Sequence, residues 1–303
     1  MHNDRLRLNA GEWELEMAPA RGGAITALRH RGRDVLISPG TPMDDAMGSA
    51  SFVLVPYANR IANGRFKFAG SNWTLPRNFG DHPHALHGTG WKRAWSVAAR
   101  QEDAITLRQR HNADVHWPWA FEASQRILIG AAAVRFELDV TNTAPVQAPM
   151  GVGFHPAFAA CQTTTLLMQV DGVWTIDAEV VPASLVPASE VLPELAGAAA
   201  GGGAPGVRAL REELVDHCFT GWSRDLTLDN AGAAGDLNLR ITASPELPFL
   251  QLYMPPGRSW LCVEPMSQMP DAINHLDERQ DTGLRILAPG ESLSVWMEIS
   301  LRG

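Results

Sequence analysis

Glu264 ends an apolar run, Trp260, Leu261, Cys262 and Val263, and is followed at once by Pro265. Four apolar residues in a row read as a strand buried on both faces. A carboxylate carried by such a strand is costly to bury unless it has a partner or a task. Proline donates no ladder hydrogen bond, which predicts that the strand stops there. His155 stands in the same setting, after the apolar stretch 151–154 (GVGF) and before Pro156. Taken singly, His155 reads as a core histidine; for Glu264, pairing with a core arginine is the lesser alternative to a chemical task. Taken together, a carboxylate and an imidazole at two strand ends make a general base and a general acid, because imidazole titrates near neutrality and can lend and regain a proton in one turnover.

Four other Gly/Pro-bounded apolar runs carry polar residues. Asn59 and Arg60 follow 51–58 (SFVLVPYA), His87 precedes Gly88 in 86–91 (LHGTGW), Asp216 lies in 214–219 (LVDHCF), and Gln251 lies in 249–253 (FLQLY). A guanidinium presents several donors in a fixed fork, and a glutamine amide both donates and accepts, so Arg60 and Gln251 suit hydroxyl recognition. His82, His84 and His87 have the spacing of imidazoles that share an ion. Pro83 stiffens that segment and no carboxylate in it completes a familiar metal set, so His82 and His84 read as solvated loop residues.

In this order, these segments resemble the aldose 1-epimerase (galactose mutarotase) family, from 11–17 (GEWELEM) to 289–292 (PGES). Each motif alone is weak; together, in the family's order, they are strong. The resemblance implies a large antiparallel two-sheet "supersandwich" with one sugar-binding cleft. It implies mutarotation of a free aldose, with Glu264 as base, His155 as acid, and Asn59, Arg60, His87, Asp216 and Gln251 holding hydroxyls. No cofactor or metal is expected, since proton transfer alone unmasks the carbonyl. Ala157 stands where many members carry a tyrosine. That departure sets the chain apart from the galactose-preferring members and nearer a divergent bacterial branch. The rivals are a non-catalytic carbohydrate-binding sandwich, a metal-dependent sugar enzyme using the 82–87 histidines, and a hexose-phosphate mutarotase. The last would need a basic cluster at the cleft, for which Lys92 and Arg93 are the candidates.

The elements that must position these residues read as strands. Val134 to Val140 alternates apolar and polar without a miss. So do Trp13, Leu15 and Met17; Leu237, Leu239 and Ile241; and Leu293, Val295, Met297, Ile299 and Leu301. A period of two means half-buried antiparallel strands, and recurring Gly/Pro turns make an all-β sandwich. One or two helical turns are expected over 208–214. The stretch 197–206 (GAAAGGGAPG) reads as a surface loop, and most of the ten tryptophans as core, with one or two stacking on the sugar. At 303 residues the chain is expected to form a single domain, residues 1–303. A net charge of −8 argues against nucleic-acid or anionic-membrane partners. Three cysteines, of which Cys218 and Cys262 sit in apolar runs, favour a reducing compartment. With no apolar leader and no spanning run, a cytoplasmic monomer or homodimer acting on a small aldose is expected.

Overall fold

The computed structural model describes residues 5–39, 46–195, 206–276 and 281–302. Of the low-complexity stretch, Gly206 is described, opening the strand Gly206–Arg208; 197–205 lie outside the described residues.

The period-two pattern becomes antiparallel sheet. Ala133–Asn142 alternates buried and half-buried side chains along its whole length. It pairs with Phe121–Ile129 on one side and Ser292–Leu301 on the other. These three strands belong to a nine-stranded sheet, and a twelve-stranded sheet carries the apolar runs. The buried faces share one core, in which Leu15 and Met17 of the larger sheet join Phe136, Leu138, Met297 and Ile299 of the smaller. Each such side chain removed from water contributes about 1.5–3 kcal/mol. The expected alternation over the last strand fails only at Leu301, which is 37% exposed where the strand runs out.

Three strands of the larger sheet lie side by side: Trp260–Met266, Phe249–Met254 and Val215–Thr220. They are buried on both faces. Leu250, Leu252, Leu261 and Val263 point into the main core. Phe249, Cys218 and Met266 join a second, smaller apolar cluster with Phe52 and Trp91. This is the arrangement of a sheet covered on its outer face by long loops, and the cleft lies beside that cluster.

Two expectations are corrected. No helix forms over 208–214; after Gly206–Arg208 the chain bends without regular structure into Val215–Thr220. A segment of seven residues cannot repay helix nucleation without a packed apolar face. The strand of Glu264 does not stop at Pro265 but runs to Met266. On one side its residues 262–266 pair with 249–253 of Phe249–Met254. On the other it meets two short strands, Ala157–Ala159 and Gly153–Phe154. By the same register Pro265 comes opposite Phe154, the last residue before the break between them, where the ladder is ending.

Candidate active site

Strand register assembles the site. Gly153 is opposite Met266 and Ala157 opposite Cys262, so His155, in the break between, comes opposite Glu264. On the other side Glu264 pairs with Gln251, and Gln251 with Cys218. The next row, two residues along each strand, is Ala157, Cys262, Tyr253 and Asp216. Alternate residues share a face, and all of these but Cys218 floor one cleft of about 490 Å³.

His155 Nε2 lies 3.4 Å from Glu264 Oε1. The imidazole stacks on Phe52, ring centroids 4.5 Å apart and 17° from parallel, and its backbone N–H donates to the Phe52 carbonyl. Glu264 is buried, and its Oε2 has no hydrogen-bond partner. Burial pushes the Glu264 carboxyl well above its ordinary range; the negative charge of Asp216 adds to this and Arg60 opposes it. Burial also brings the His155 imidazole down to about 4, against its backbone hydrogen bond and the attraction of Asp216. Both shifts favour the uncharged forms, carboxylic acid and neutral imidazole, with one proton between the pair.

The opposite wall comes from loops. Asn59 and His87 adopt left-handed backbone, φ 57° and 56°, and the His87 N–H donates to the Asn59 carbonyl. The short pair Arg60–Ile61 with Ala85–Leu86 holds this wall together. Arg60 Nη2 donates to Asp216 Oδ2 at 2.7 Å, and Gln251 Nε2 donates to Asp216 Oδ1 at 2.6 Å. Arg60 Nη1 reaches Asn59 Oδ1 at 3.4 Å. Arg60 Nε, Gln251 Oε1 and His87 Nδ1 remain buried without partners. Unpartnered polar atoms of this kind call for an explanation; these three belong to residues that line the cleft. Burial holds the His87 imidazole well below its ordinary value, with the neighbouring His155 and Arg60 adding to the effect.

All seven residues singled out in the sequence therefore line one cleft. His82 lines it too, which the sequence reading did not expect. His84 is a fully buried structural residue: its Nδ1 accepts from the Asn63 N–H and its Nε2 faces the Glu179 carbonyl. With both nitrogens engaged, it cannot share an ion with His82 and His87. Phe52, Phe79 and Cys262 are not singled out by the sequence, and Trp260 is singled out only as one of several tryptophans that stack on the sugar or fill the core. Counting back by two from Glu264 would have found Cys262 and Trp260; Phe52 and Phe79 carry no such signal. Trp260 is the sole tryptophan among the described cleft residues, and Trp91 is core. His155, Cys262 and Glu264 bring three ligand-type atoms within 4.8 Å of one another.

Comparison with known proteins places the fold and the family. The fold is that of the galactose mutarotase-like sandwiches. A structure of a candidate aldose 1-epimerase from Escherichia coli K12 superposes with a TM-score of 0.83 at 25% identity, covering 98% of each chain. A galactose mutarotase-like protein from Clostridium acetobutylicum superposes at 0.81 and 18% identity, covering 99% of this chain and 95% of the other. Residues 5–300 match the model of the aldose 1-epimerase family, to which this chain belongs. It is also 28% identical over 300 residues to the uncharacterized protein YphB of Escherichia coli K12, covering 97% of each.

Proposed function

We propose that the protein is an aldose 1-epimerase that interconverts the α and β anomers of a free aldose. The observation that carries this reading is the His155–Glu264 pair, 3.4 Å apart on the floor of a cleft rimmed by hydroxyl-binding groups. Ring opening removes the proton of the C1 hydroxyl and adds one to the ring oxygen. Moving the shared proton from carboxyl to imidazole makes Glu264 a carboxylate base and His155 an imidazolium acid. Glu264 takes the C1 hydroxyl proton, His155 protonates the ring oxygen, and the C1–O5 bond opens to the aldehyde. Rotation about C1–C2 presents the other carbonyl face, and closure runs with the roles reversed. Asp216, held between Arg60 and Gln251, accepts from vicinal hydroxyls, while the unpartnered atoms of Arg60, Gln251 and His87 complete the contacts.

A free rather than a phosphorylated sugar is favoured by the cations. Lys92 and Arg93 line a separate pocket with Tyr57 and His116, and Arg93 is paired with Asp114. Arg60 is committed to Asp216. The test is NMR exchange spectroscopy on freshly dissolved α-aldoses across a sugar panel, with and without protein. Acceleration of anomer exchange for at least one free aldose is expected. No acceleration for any sugar that nevertheless binds would leave a sugar-binding sandwich.

A further inference from the structure

Cys262 has no part in the chemistry above, yet its thiol faces the reacting pair. It precedes Glu264 by two residues on one strand, so both side chains share the cleft face. Its cross-strand neighbour Ala157 is a bare methyl, and Cys262, although buried, lines the cleft. The Cys262 Sγ, a His155 ring nitrogen and a Glu264 oxygen all lie within 4.8 Å of one another. The Nε2–Oε1 separation of 3.4 Å already matches the edge of a tetrahedron around zinc, which for nitrogen, oxygen and sulfur ligands is about 3.3–3.6 Å. A shift of the thiol by about one ångström completes the set. Glu264 Oε2, buried and without a partner, supplies further acceptor capacity at the same point.

We propose that His155, Cys262 and Glu264 form an inhibitory binding site for a thiophilic divalent cation, typified by zinc. One thiolate, one imidazole and one carboxylate make a borderline-soft set that favours zinc over magnesium or calcium. Three protein ligands leave the fourth position to a water or a sugar hydroxyl from the cleft. Binding releases two protons to solvent, that of the thiol and the one held between Glu264 and His155, and occupies the lone pairs of both base and acid. The cation is an antagonist of the proton relay, not a participant in it. The activity arm of the test rests on the proposed mutarotation; the binding arm does not.

Metal-stripped protein is titrated with Co²⁺ and followed in the near ultraviolet, where thiolate-to-cobalt charge transfer absorbs, and with Zn²⁺ by calorimetry. One ion per chain is expected. The charge-transfer band should survive Cys161→Ser, which removes the half-exposed thiol, and vanish in Cys262→Ala. If that variant fails to fold, as judged by circular dichroism, Cys262→Ser replaces it. His155→Gln should weaken zinc binding about tenfold or more. In the mutarotation assay, saturating zinc should cut the wild-type rate about 10²-fold or more, and the ratio of inhibited to uninhibited rate should return towards one in the Cys262 variant. Absence of a stoichiometric band in the wild type, its persistence without Cys262, or equal zinc inhibition in the Cys262 variant would overturn the site. If the stripped protein mutarotates no sugar, the functional reading alone fails, and the cobalt titration still decides the site.

Discussion

Asp216 holds the recognition side of the cleft together. One of its oxygens takes the Arg60 guanidinium and the other the Gln251 amide. Removing either Asp216 or Arg60 should deprive the sugar of a charge-assisted hydrogen bond, a loss of about 1.5–3 kcal/mol. Arg60→Ala and Asp216→Ala are therefore expected to raise KM about 10- to 100-fold, with a smaller change in melting temperature. Saturation kinetics alongside thermal denaturation measures both, and unchanged KM in both variants removes them from the site. Glu264 allows a test of stability that does not depend on activity. Its carboxyl is raised in the folded protein from an ordinary 4.5. Above that pH the unfolded chain has lost a proton that the folded protein still holds, so stability falls as pH rises towards the folded value. Glu264→Gln has no such proton. Its melting temperature relative to wild type should climb from about pH 4.5 upward and then level off; a difference independent of pH would show that the buried carboxyl is not strained. The sequence made these residues visible because each is a lone polar group in an apolar run. It could not show that Asp216 bridges Arg60 and Gln251, since that contact spans 156 positions.

Strands and turns set the precision of the site. Cys262 and Glu264, or Gln251 and Tyr253, share a face because the strand period is two. That much is legible in the chain, and so is the alternation of Ala133–Asn142. The register between strands is not, because it depends on pairing partners far apart in sequence. Pro265 misled for the same reason: its tolerance depends on the break between Gly153–Phe154 and Ala157–Ala159 beside it. Gly88 carries the loop wall. It has φ of 71°, and a Cβ there would sit 2.1 Å from the Val55 carbonyl oxygen. Gly88→Ala combines left-handed strain with a backbone clash. It should cost about 2–4 kcal/mol, read as a lower urea midpoint at unchanged slope, and should displace His87 enough to weaken sugar binding. A midpoint equal to wild type would mean that the loop yields and does not brace the cleft.

At the scale of the whole molecule, two large sheets sandwich one core while loops over the outer face of the larger sheet enclose the cleft. The sandwich was legible because long strands of the smaller sheet, Phe121–Ile129, Ala133–Asn142, Leu237–Ala243 and Ser292–Leu301, alternate. The second apolar cluster was not, since Phe52 and Trp91 gather there from irregular segments without a period. In the proposed mechanism this architecture positions a base and an acid that share one proton. The rate should therefore fall at low pH, where both groups are protonated, and at high pH, where neither is. The acid limb should lie near the His155 value of about 4 and the alkaline limb above the ordinary carboxylate range, as properties of the coupled pair. The decisive measurement is the mutarotation rate of folded Glu264→Gln and His155→Ala beside the wild type, by polarimetry on a fresh α-aldose. Each variant should lose about 10²–10⁴-fold while still binding sugar, each should lose one limb of the pH profile, and the double variant should lose less than the product of the two. A folded single variant that turns over at close to the wild-type rate would contradict the pair.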